Sequence, residues 1–172
     1  MLQAAEAVVL EQGAGNLTLD AVAKQAGVSK GGVIYNFRSK DALLEAMIDR
    51  LIEHSIAAHR ETIEKLPDRP GRALRAYVQN SLRTPDAADR VSGALLAVIA
   101  NNPQLLGHVS RYFTQRFQQI SADVPMERAA LIHAATEGLW LMELMQTSPL
   151  TRAQRTRLSK ELLRLCDFDE NP

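Results

Sequence analysis

Apolar residues recur along most of the chain at the three- to four-residue spacing of α-helices, and no long stretch alternates as a half-buried strand would. Glycine, proline and helix-capping residues divide this pattern into about nine helices. The first runs from near Met1 to Gln12 and ends at Gly13, and a long fourth helix begins at Ser39. The pattern therefore predicts an all-α protein.

Two short helices are predicted between these two. The second helix starts at about Thr18, which caps it, and ends before Gly27; the third starts after its cap, Ser29, and reaches about Asn36. Gly27 permits the left-handed backbone of a sharp turn, and Val28 is expected to fill the angle between the two helices. This arrangement is typical of a helix-turn-helix, whose second helix enters the major groove of DNA.

Later helices are marked by prolines and by a capping box. We expect Pro85, Pro103 and Pro125 at first-turn positions, where the missing N–H of proline costs nothing. The clearest break lies at 67–71, and the last helix is predicted to begin with a capping box at Thr151. Because no flexible linker is present, a boundary between an N-terminal head and a larger body is predicted within the fourth helix.

Composition indicates an ordinary globular protein, with 46% hydrophobic and 23% charged residues. The single cysteine, Cys166, rules out a disulfide within the chain and fits a reducing compartment. The N-terminus lacks the basic start of a secretory signal, and the longest apolar stretch, 94–100, is too short to cross a bilayer. These features predict a soluble, cytoplasmic protein without a membrane partner.

Charge is unevenly distributed, although the net charge is zero. The twenty residues from Ala21 to Lys40 contain four cations and no anion. A local basic surface of this kind is compatible with nucleic-acid binding. A solvated basic stretch without a partner explains the same charges, so charge alone leaves both interpretations open.

The third predicted helix has the chemistry of a DNA-contacting element. Lys30 places a cation at its start, and Tyr35 and Asn36 offer a hydroxyl and an amide of the kinds that bind phosphate and adenine. Gly31 and Gly32 each cost a helix about 1 kcal/mol relative to alanine, which suits a backbone that approaches another surface closely. A hairpin whose glycines only permit tight packing remains the alternative.

The start of the fourth helix, at Ser39 and Lys40, adds a second candidate contact. Free N–H groups and the helix dipole make such a terminus a phosphate anchor.

The run AGVSKGGVIYNFRSKDALL resembles the tetracycline-repressor (TetR) family of transcriptional regulators, and the resemblance covers roughly residues 1–47. The family's usual run has Gly-Val-Ser, a Lys-Gly pair, an aromatic-containing turn that ends in Phe, and Ser-Lys with an acidic residue before Leu. These places are filled here by Gly27, Val28, Ser29, Lys30, Gly31, Tyr35, Phe37, Ser39, Lys40, Asp41 and Leu43.

The resemblance implies two sets of DNA contacts. Phosphates would be bound by Thr18, Tyr35 and Lys40, and base edges would face Lys30, Gly31, Gly32 and Asn36. Ser29 and Arg38 complete the predicted DNA-binding set. The chain departs from the usual pattern at Ile34, Asn36 and Arg38, where many members have tyrosine, histidine and proline. These departures bear on the operator sequence. The basic residues that usually precede the first helix are also missing.

The resemblance further implies a helix-turn-helix head at 1–48 and a helical effector-binding and dimerisation body at 49–172. Small and apolar residues on the last two predicted helices fit a homodimer in which these helices pair with their twofold mates. An intramolecular core helix is the alternative. The candidate dimer-interface residues are Ala130, Ala134, Leu141, Leu158 and Leu162.

A largely apolar small-molecule effector is the expected ligand of the body, and neither a cofactor nor a metal is expected. The candidate lining residues are Tyr77, Tyr112, Phe113, Phe117, His133, Glu137 and Trp140. Aromatic residues at helical spacing belong to a core more often than to a pocket, and a buried or interface pair is the commoner explanation of His133 and Glu137. His54 and His59 are expected to be solvated.

The resulting hypothesis is a homodimeric regulator that binds double-stranded operator DNA, acts as a repressor and is released by its effector. A helical adaptor that binds a protein partner and an enzyme with a helical body are the alternatives. No nucleophile arrangement, phosphate loop or metal-ligand spacing in the sequence supports an enzyme.

Overall fold

A computed structural model of the protein describes residues 1–168, which form nine α-helices and no β-strand. The predicted all-α fold is therefore confirmed. The helices are α1 (Leu2–Gln12), α2 (Leu19–Ala26), α3 (Lys30–Asn36), α4 (Lys40–Lys65), α5 (Arg72–Ser81), α6 (Ala87–Ala100), α7 (Pro103–Ile120), α8 (Met126–Leu144) and α9 (Arg152–Leu165). A 3-10 turn at Ala14–Asn16 follows α1.

The described residues divide into two compact units. The first unit contains 1–54 and 86–111, and the second contains 55–85 and the chain from Tyr112 onward. Helices α4 and α7 each belong to both units. Contacts thus group α6 and the start of α7 with the N-terminal helices, whereas the division after residue 48 stays a prediction.

The core of the first unit is built by α1, α2, α3, α6 and the first turns of α4 and α7. Full burial of a side chain the size of valine or leucine contributes about 1.5–3 kcal/mol. The buried residues are Ala5, Val8, Val9, Ala14, Leu17, Val22, Ala23, Val33, Leu43, Leu44, Met47, Ile48, Val91, Leu95 and Leu105.

The turn between α2 and α3 has the predicted local chemistry. The Thr18 hydroxyl caps α2 by accepting a hydrogen bond from the backbone N–H of Ala21 at 3.1 Å. Gly27 ends α2 in the left-handed conformation, with φ 67° and ψ 30°. The Ser29 hydroxyl caps α3 by accepting from the backbone N–H of Gly32 at 3.1 Å. These local bonds fix where each short helix begins and ends.

Val28 differs from its predicted role, because its side chain is 41% exposed. The apolar surfaces of α2 and α3 are instead provided by Val22, Ala23 and Val33, which are all buried. The prediction that Val28 fills the angle between the helices is therefore wrong.

The prolines of the later helices differ in position. Pro103 is the first residue of α7, as predicted. Pro85 precedes the N-cap of α6, since the carboxylate of Asp86 takes that position in a capping box with Asp89. Pro125 is itself the N-cap of α8. A carboxylate that accepts a backbone N–H is a stronger start signal than proline, which explains the shift at α6.

The second unit has its own core, formed by α5, α8, α9 and the end of α7. Cys166 belongs to it as a small buried residue, and its thiol donates a hydrogen bond to the Leu162 carbonyl oxygen. The buried residues of this cluster are Leu74, Tyr77, Val78, Ile120, Ala129, Ile132, Leu139, Leu162 and Cys166.

The chain after α9 packs closely against the start of α5. Gly71 has φ 81°, and a Cβ atom at this position would lie 2.6 Å from the carbonyl oxygen of Cys166 and from the ring of Phe168. The carboxylate of Asp167 accepts a hydrogen bond from Arg75 at 2.8 Å. Only glycine fits at residue 71, both in backbone conformation and in space.

The described residues contain no helix that is both long enough and apolar enough to span a bilayer.

Candidate DNA-binding and effector sites

The third helix presents most of its side chains to solvent. Tyr35 is 89% exposed, whereas Val33 is completely buried and holds α3 against the core. Lys30, Gly31 and Asn36 are also exposed. The strip that the sequence predicts to contact DNA therefore lies on the surface of the head.

Two of the predicted DNA-contacting side chains already have partners within the head. The Lys30 ammonium lies 2.9 Å from a carboxylate oxygen of Asp20, and both side chains are more than half exposed. The Asn36 amide donates a hydrogen bond to the carbonyl oxygen of Gly32 at 2.9 Å. DNA must compete with these bonds. Asp20 is absent from the predicted site, because only the fold brings it to Lys30 from ten positions away.

Two of the three predicted phosphate contacts, Thr18 and Lys40, lie at helix starts, whereas Tyr35 lies near the end of α3. Thr18 caps α2 and is exposed, as is Arg38. The Ser39 hydroxyl caps α4 by accepting a hydrogen bond from the backbone N–H of Ala42 at 3.1 Å. Lys40 follows as the half-buried first residue of α4. Each terminus combines backbone N–H groups with a polar or cationic side chain, the arrangement that favours anions.

In the body, aromatic rings surround His133. The ring centre of His133 lies 5.2 Å from that of Tyr77, 5.6 Å from that of Phe117 and 6.4 Å from that of Phe113. The ring of Tyr112 lies 5.3 Å from that of Phe113. The structure thus brings five of the seven predicted lining residues together.

Glu137 joins this cluster through Tyr77, whose hydroxyl donates a hydrogen bond to its carboxylate. Burial raises the pKa of Glu137, although the Tyr77 bond and the charge of His133 act in the opposite direction. Burial also raises the pKa of Tyr77, with a further contribution from the Glu137 charge, so the phenol remains a donor. Trp140 is half-buried and has no ring contact within residues 1–168.

Several buried polar groups of the second unit were not predicted from the sequence. Arg116 and His59 are buried, so the expectation that His59 is solvated is wrong. Burial, and secondly the charge of Arg116, lowers the pKa of His59 from 6.5 to about 4. The side-chain atoms His59 Nε2, Asn80 Nδ2, His133 Nδ1 and Thr136 Oγ1 are buried without a hydrogen-bond partner in the described structure.

One feature of the sequence indicates that His59 is buried. His59 stands seven positions after Ile52 and four before Ile63, on the apolar stripe of α4. For Arg116, the neighbouring aromatic residues of α7 were the corresponding signal.

The candidate dimer residues on α8 and α9 differ in exposure. Ala134, Leu141 and Leu158 are exposed and Ala130 is half-buried, so their side chains are accessible to a second copy. Leu162 is buried within the core of its own unit, which corrects its assignment to the interface. Leu131, which was not predicted, is 73% exposed on α8.

Comparison with known proteins gives two family matches for the chain. Residues 1–47 match the family model of bacterial regulatory proteins of the tetR family, and residues 71–167 match that of the tetracyclin repressor-like C-terminal domain. The HTH-type transcriptional regulator BetI of Serratia proteamaculans is 29% identical over 175 residues, covering 95% of this chain and 88% of the relative.

Solved structures show the same fold. A TetR-family transcriptional regulator from Rhodococcus sp. superposes with a TM-score of 0.78 at 20% identity, covering 96% of each chain. The multidrug binding protein EbrR, solved in complex with imidazole, gives a TM-score of 0.71 at 21% identity, covering 99% of this chain and 94% of EbrR.

The C-terminal match covers more than half of the chain, and the N-terminal match covers the helix-turn-helix. Regulators of this family bind operator DNA, dimerise and bind small-molecule ligands. The chain belongs to the TetR family of transcriptional regulators, and it is a DNA-binding repressor with a helix-turn-helix head.

Proposed function

We propose that this repressor reads its operator with the exposed side of α3 and holds the phosphate backbone with Tyr35 of α3 and with the starts of α2 and α4. The base contacts come from Lys30, Gly31, Gly32 and Asn36. The phosphate contacts come from Thr18, Tyr35 and Lys40, with Ser29 and Arg38 beside them. The observation that carries this proposal is the exposure of α3, whose buried residue is Val33 alone.

Substitution of Lys40 by alanine tests the phosphate anchor. Because one cation is lost from a phosphate contact, we expect weaker binding to specific and random duplexes alike. The slope of log affinity against log salt should become shallower by about 1. Operator fragments for this measurement can be selected by binding from the source genome.

Lys65→Ala is the matched control, because Lys65 lies at the opposite end of α4, about 38 Å along the helix axis, and pairs with Glu61. It should bind DNA as the wild type does. An unchanged affinity and an unchanged salt slope for Lys40→Ala would refute the anchor.

The DNA-binding unit is proposed to be a homodimer that pairs through α8 and α9. The exposed apolar and small residues Leu131, Ala134, Leu141 and Leu158 support this interface, since such residues are costly to leave in water. A twofold dimer places two heads on half-sites about 34–36 Å apart, one turn of DNA.

The effector is proposed to bind in the second unit, among the rings around His133 and the unpartnered polar atoms. Native structures leave few buried polar groups without partners, so their concentration here supports a ligand or ordered water at this place. EbrR is described as a complex with imidazole, which is compatible with small-molecule binding by this fold. Binding would favour the conformation with low DNA affinity, with a coupling of about 1–3 kcal/mol.

A further inference from the structure

Arg116 is a buried cation that has no counter-ion among residues 1–168. Its residue surface is 4% exposed, and it forms no ion pair with any residue of the described chain. Its guanidinium donates a hydrogen bond to the hydroxyl of Tyr112 at 3.2 Å and lies 5.4 Å from the centre of that ring. Arginine keeps its proton in proteins, so burial cannot neutralise it. A neutral phenol therefore provides the contacts that a buried charge normally receives from an anion.

The unpartnered groups in the same unit as Arg116 include the Asn80 NH₂ group and the His59 imidazole. The Thr62 hydroxyl lies 2.9 Å from the side-chain oxygen of Asn80 and 2.9 Å from the carbonyl oxygen of Ala58, and the Asn80 NH₂ group has no partner in the described structure. His59 is neutral at pH 7, because burial and the charge of Arg116 lower its pKa to about 4. With the proton on Nε2, the unpartnered atom of this imidazole is a second donor. An acceptor is the partner that these two groups and the Arg116 guanidinium can share.

Glu137 does not meet this need. Its carboxylate is engaged by the Tyr77 hydroxyl, and it forms no ion pair with Arg116. A cationic ligand would leave the Arg116 charge uncompensated and add a second positive charge to the same interior.

We infer that the effector is an organic monocarboxylate with an apolar or aromatic body, and that its carboxylate binds the guanidinium of Arg116. The planar fork of arginine matches the two oxygens of a carboxylate. Phe113 and Phe117, three positions before and one position after Arg116 on α7, are half-buried and provide apolar surface for the rest of the molecule. His59 and Asn80 donate hydrogen bonds to the remaining lone pairs of the ligand's carboxylate. This inference rests on the proposed effector site of the regulator.

Ligand binding is tested on the full chain without DNA, by calorimetry and thermal shift in chloride-free buffer. The probes are linear, branched and aryl-substituted monocarboxylates such as phenylbutyrate, each compared with its own primary amide and amine. We expect at least one acid to bind about 30-fold or more tightly than its amide, because the amide cannot replace a buried charge-assisted pair. Acetate and inorganic phosphate, which lack the apolar body, should not reproduce the thermal shift.

The inference is wrong if no acid binds more tightly than its matched amide, if amines bind best, or if phosphate alone gives the full shift.

Arg116→Met separates binding from stability. Without ligand, this variant should be at least as stable as the wild type, because it replaces an unpaired buried charge by an apolar chain of similar length. Its preference for acids over amides should disappear. Arg116→Lys, which keeps the charge but not the fork, should retain part of the preference. Arg111→Met, at an exposed arginine of α7, is the control and should leave the preference unchanged.

A ligand-free Arg116→Met protein that is clearly less stable than the wild type would show that the guanidinium has a structural role, and this would overturn the inference. The Arg116→Lys measurement keeps the test decisive if Arg116→Met does not fold, since equal acid preference in Arg116→Lys and wild type would also overturn it.

Failure here is distinguishable from failure of the proposed function. Acids that bind without changing operator affinity would refute the effector switch and leave the carboxylate site standing. Operator release by a neutral or cationic compound, with no binding of acids, would refute the carboxylate site and leave the effector switch standing.

Discussion

The head and the body use polar residues in opposite ways. In the head, the predicted DNA-contacting residues are mostly exposed, lie between Thr18 and Lys40, and include caps that the local backbone satisfies. In the body, the polar groups of the candidate effector site are buried or half-buried and come from α4, α5, α7 and α8. Several of their atoms have no partner in the described structure. A surface site for a polymer can be encoded in one short segment, whereas an internal site needs one or two residues from each of several helices.

The largest difference between the head and the body is expected in the free energy of unfolding, when one glycine of each is replaced by alanine. Gly71 and Gly27 both have positive φ, but an added Cβ meets backbone and ring atoms at 2.6 Å only at Gly71 and nothing within 4 Å at Gly27. Gly71→Ala should lower the free energy of unfolding by about 3 kcal/mol or more, because overpacking adds to the left-handed strain. Gly27→Ala should cost about 1 kcal/mol, the strain alone. Urea denaturation measures both, and equal losses would contradict this difference.

The pH dependence of stability should come in part from the body. His59 has a folded pKa of about 4 against an ordinary 6.5, so the unfolded chain takes up a proton first as the pH falls. This contribution is absent above pH 6.5 and destabilises progressively between pH 6.5 and 4, reaching about 3 kcal/mol.

Urea denaturation at pH 7 and pH 5 tests this effect. Between these two pH values the wild type should lose about 2 kcal/mol more stability than His59→Gln. His54→Gln, which removes an exposed histidine of α4, should behave as the wild type does. The same pH dependence in wild type and His59→Gln would show that His59 is not held neutral.

The smallest effect is expected at the ion pair of the head. Asp20→Asn frees the Lys30 ammonium, which should raise affinity for random DNA about threefold to fivefold and steepen the salt slope by up to about 1. The change should vanish in a Lys30→Met background if Asp20 acts through Lys30. Glu53→Gln alters the net charge equally at an exposed site about 20 Å along α4 from Lys40, and it should leave DNA binding unchanged.

The sequence predicts the head well because its signals are local. The hydroxyls of Thr18 and Ser29 and the backbone of Gly27 act within three or four residues of their own positions, so the sequence contains both partners of each contact. The pair of Lys30 and Asp20 is ten positions apart and depends on how α2 and α3 pack, and no local rule indicates it.

The body is less predictable for the same reason. Aromatic residues such as Tyr77 and Phe117 can be named as candidate lining residues from the sequence, but burial of His59 and Arg116 is decided by packing between helices that are distant in sequence. Histidine and arginine are usually exposed, so the residue type predicts a solvent-exposed side chain at both positions, where the structure has a buried one. Leu162 shows the converse, since an apolar residue at helical spacing fits an interface or a core equally well until the neighbours are known.

The burial of Cys166 has a practical consequence. It is the single cysteine of the chain, and burial raises the pKa of its thiol to about 11, so only about one molecule in ten thousand is a thiolate at pH 7. Maleimides and methanethiosulfonate spin-label reagents react by attack of the thiolate, so they should leave the native protein almost unlabelled. One cysteine introduced on the surface of the head would carry a spectroscopic probe without any further mutation, and in a homodimer the two copies would report the distance between heads directly.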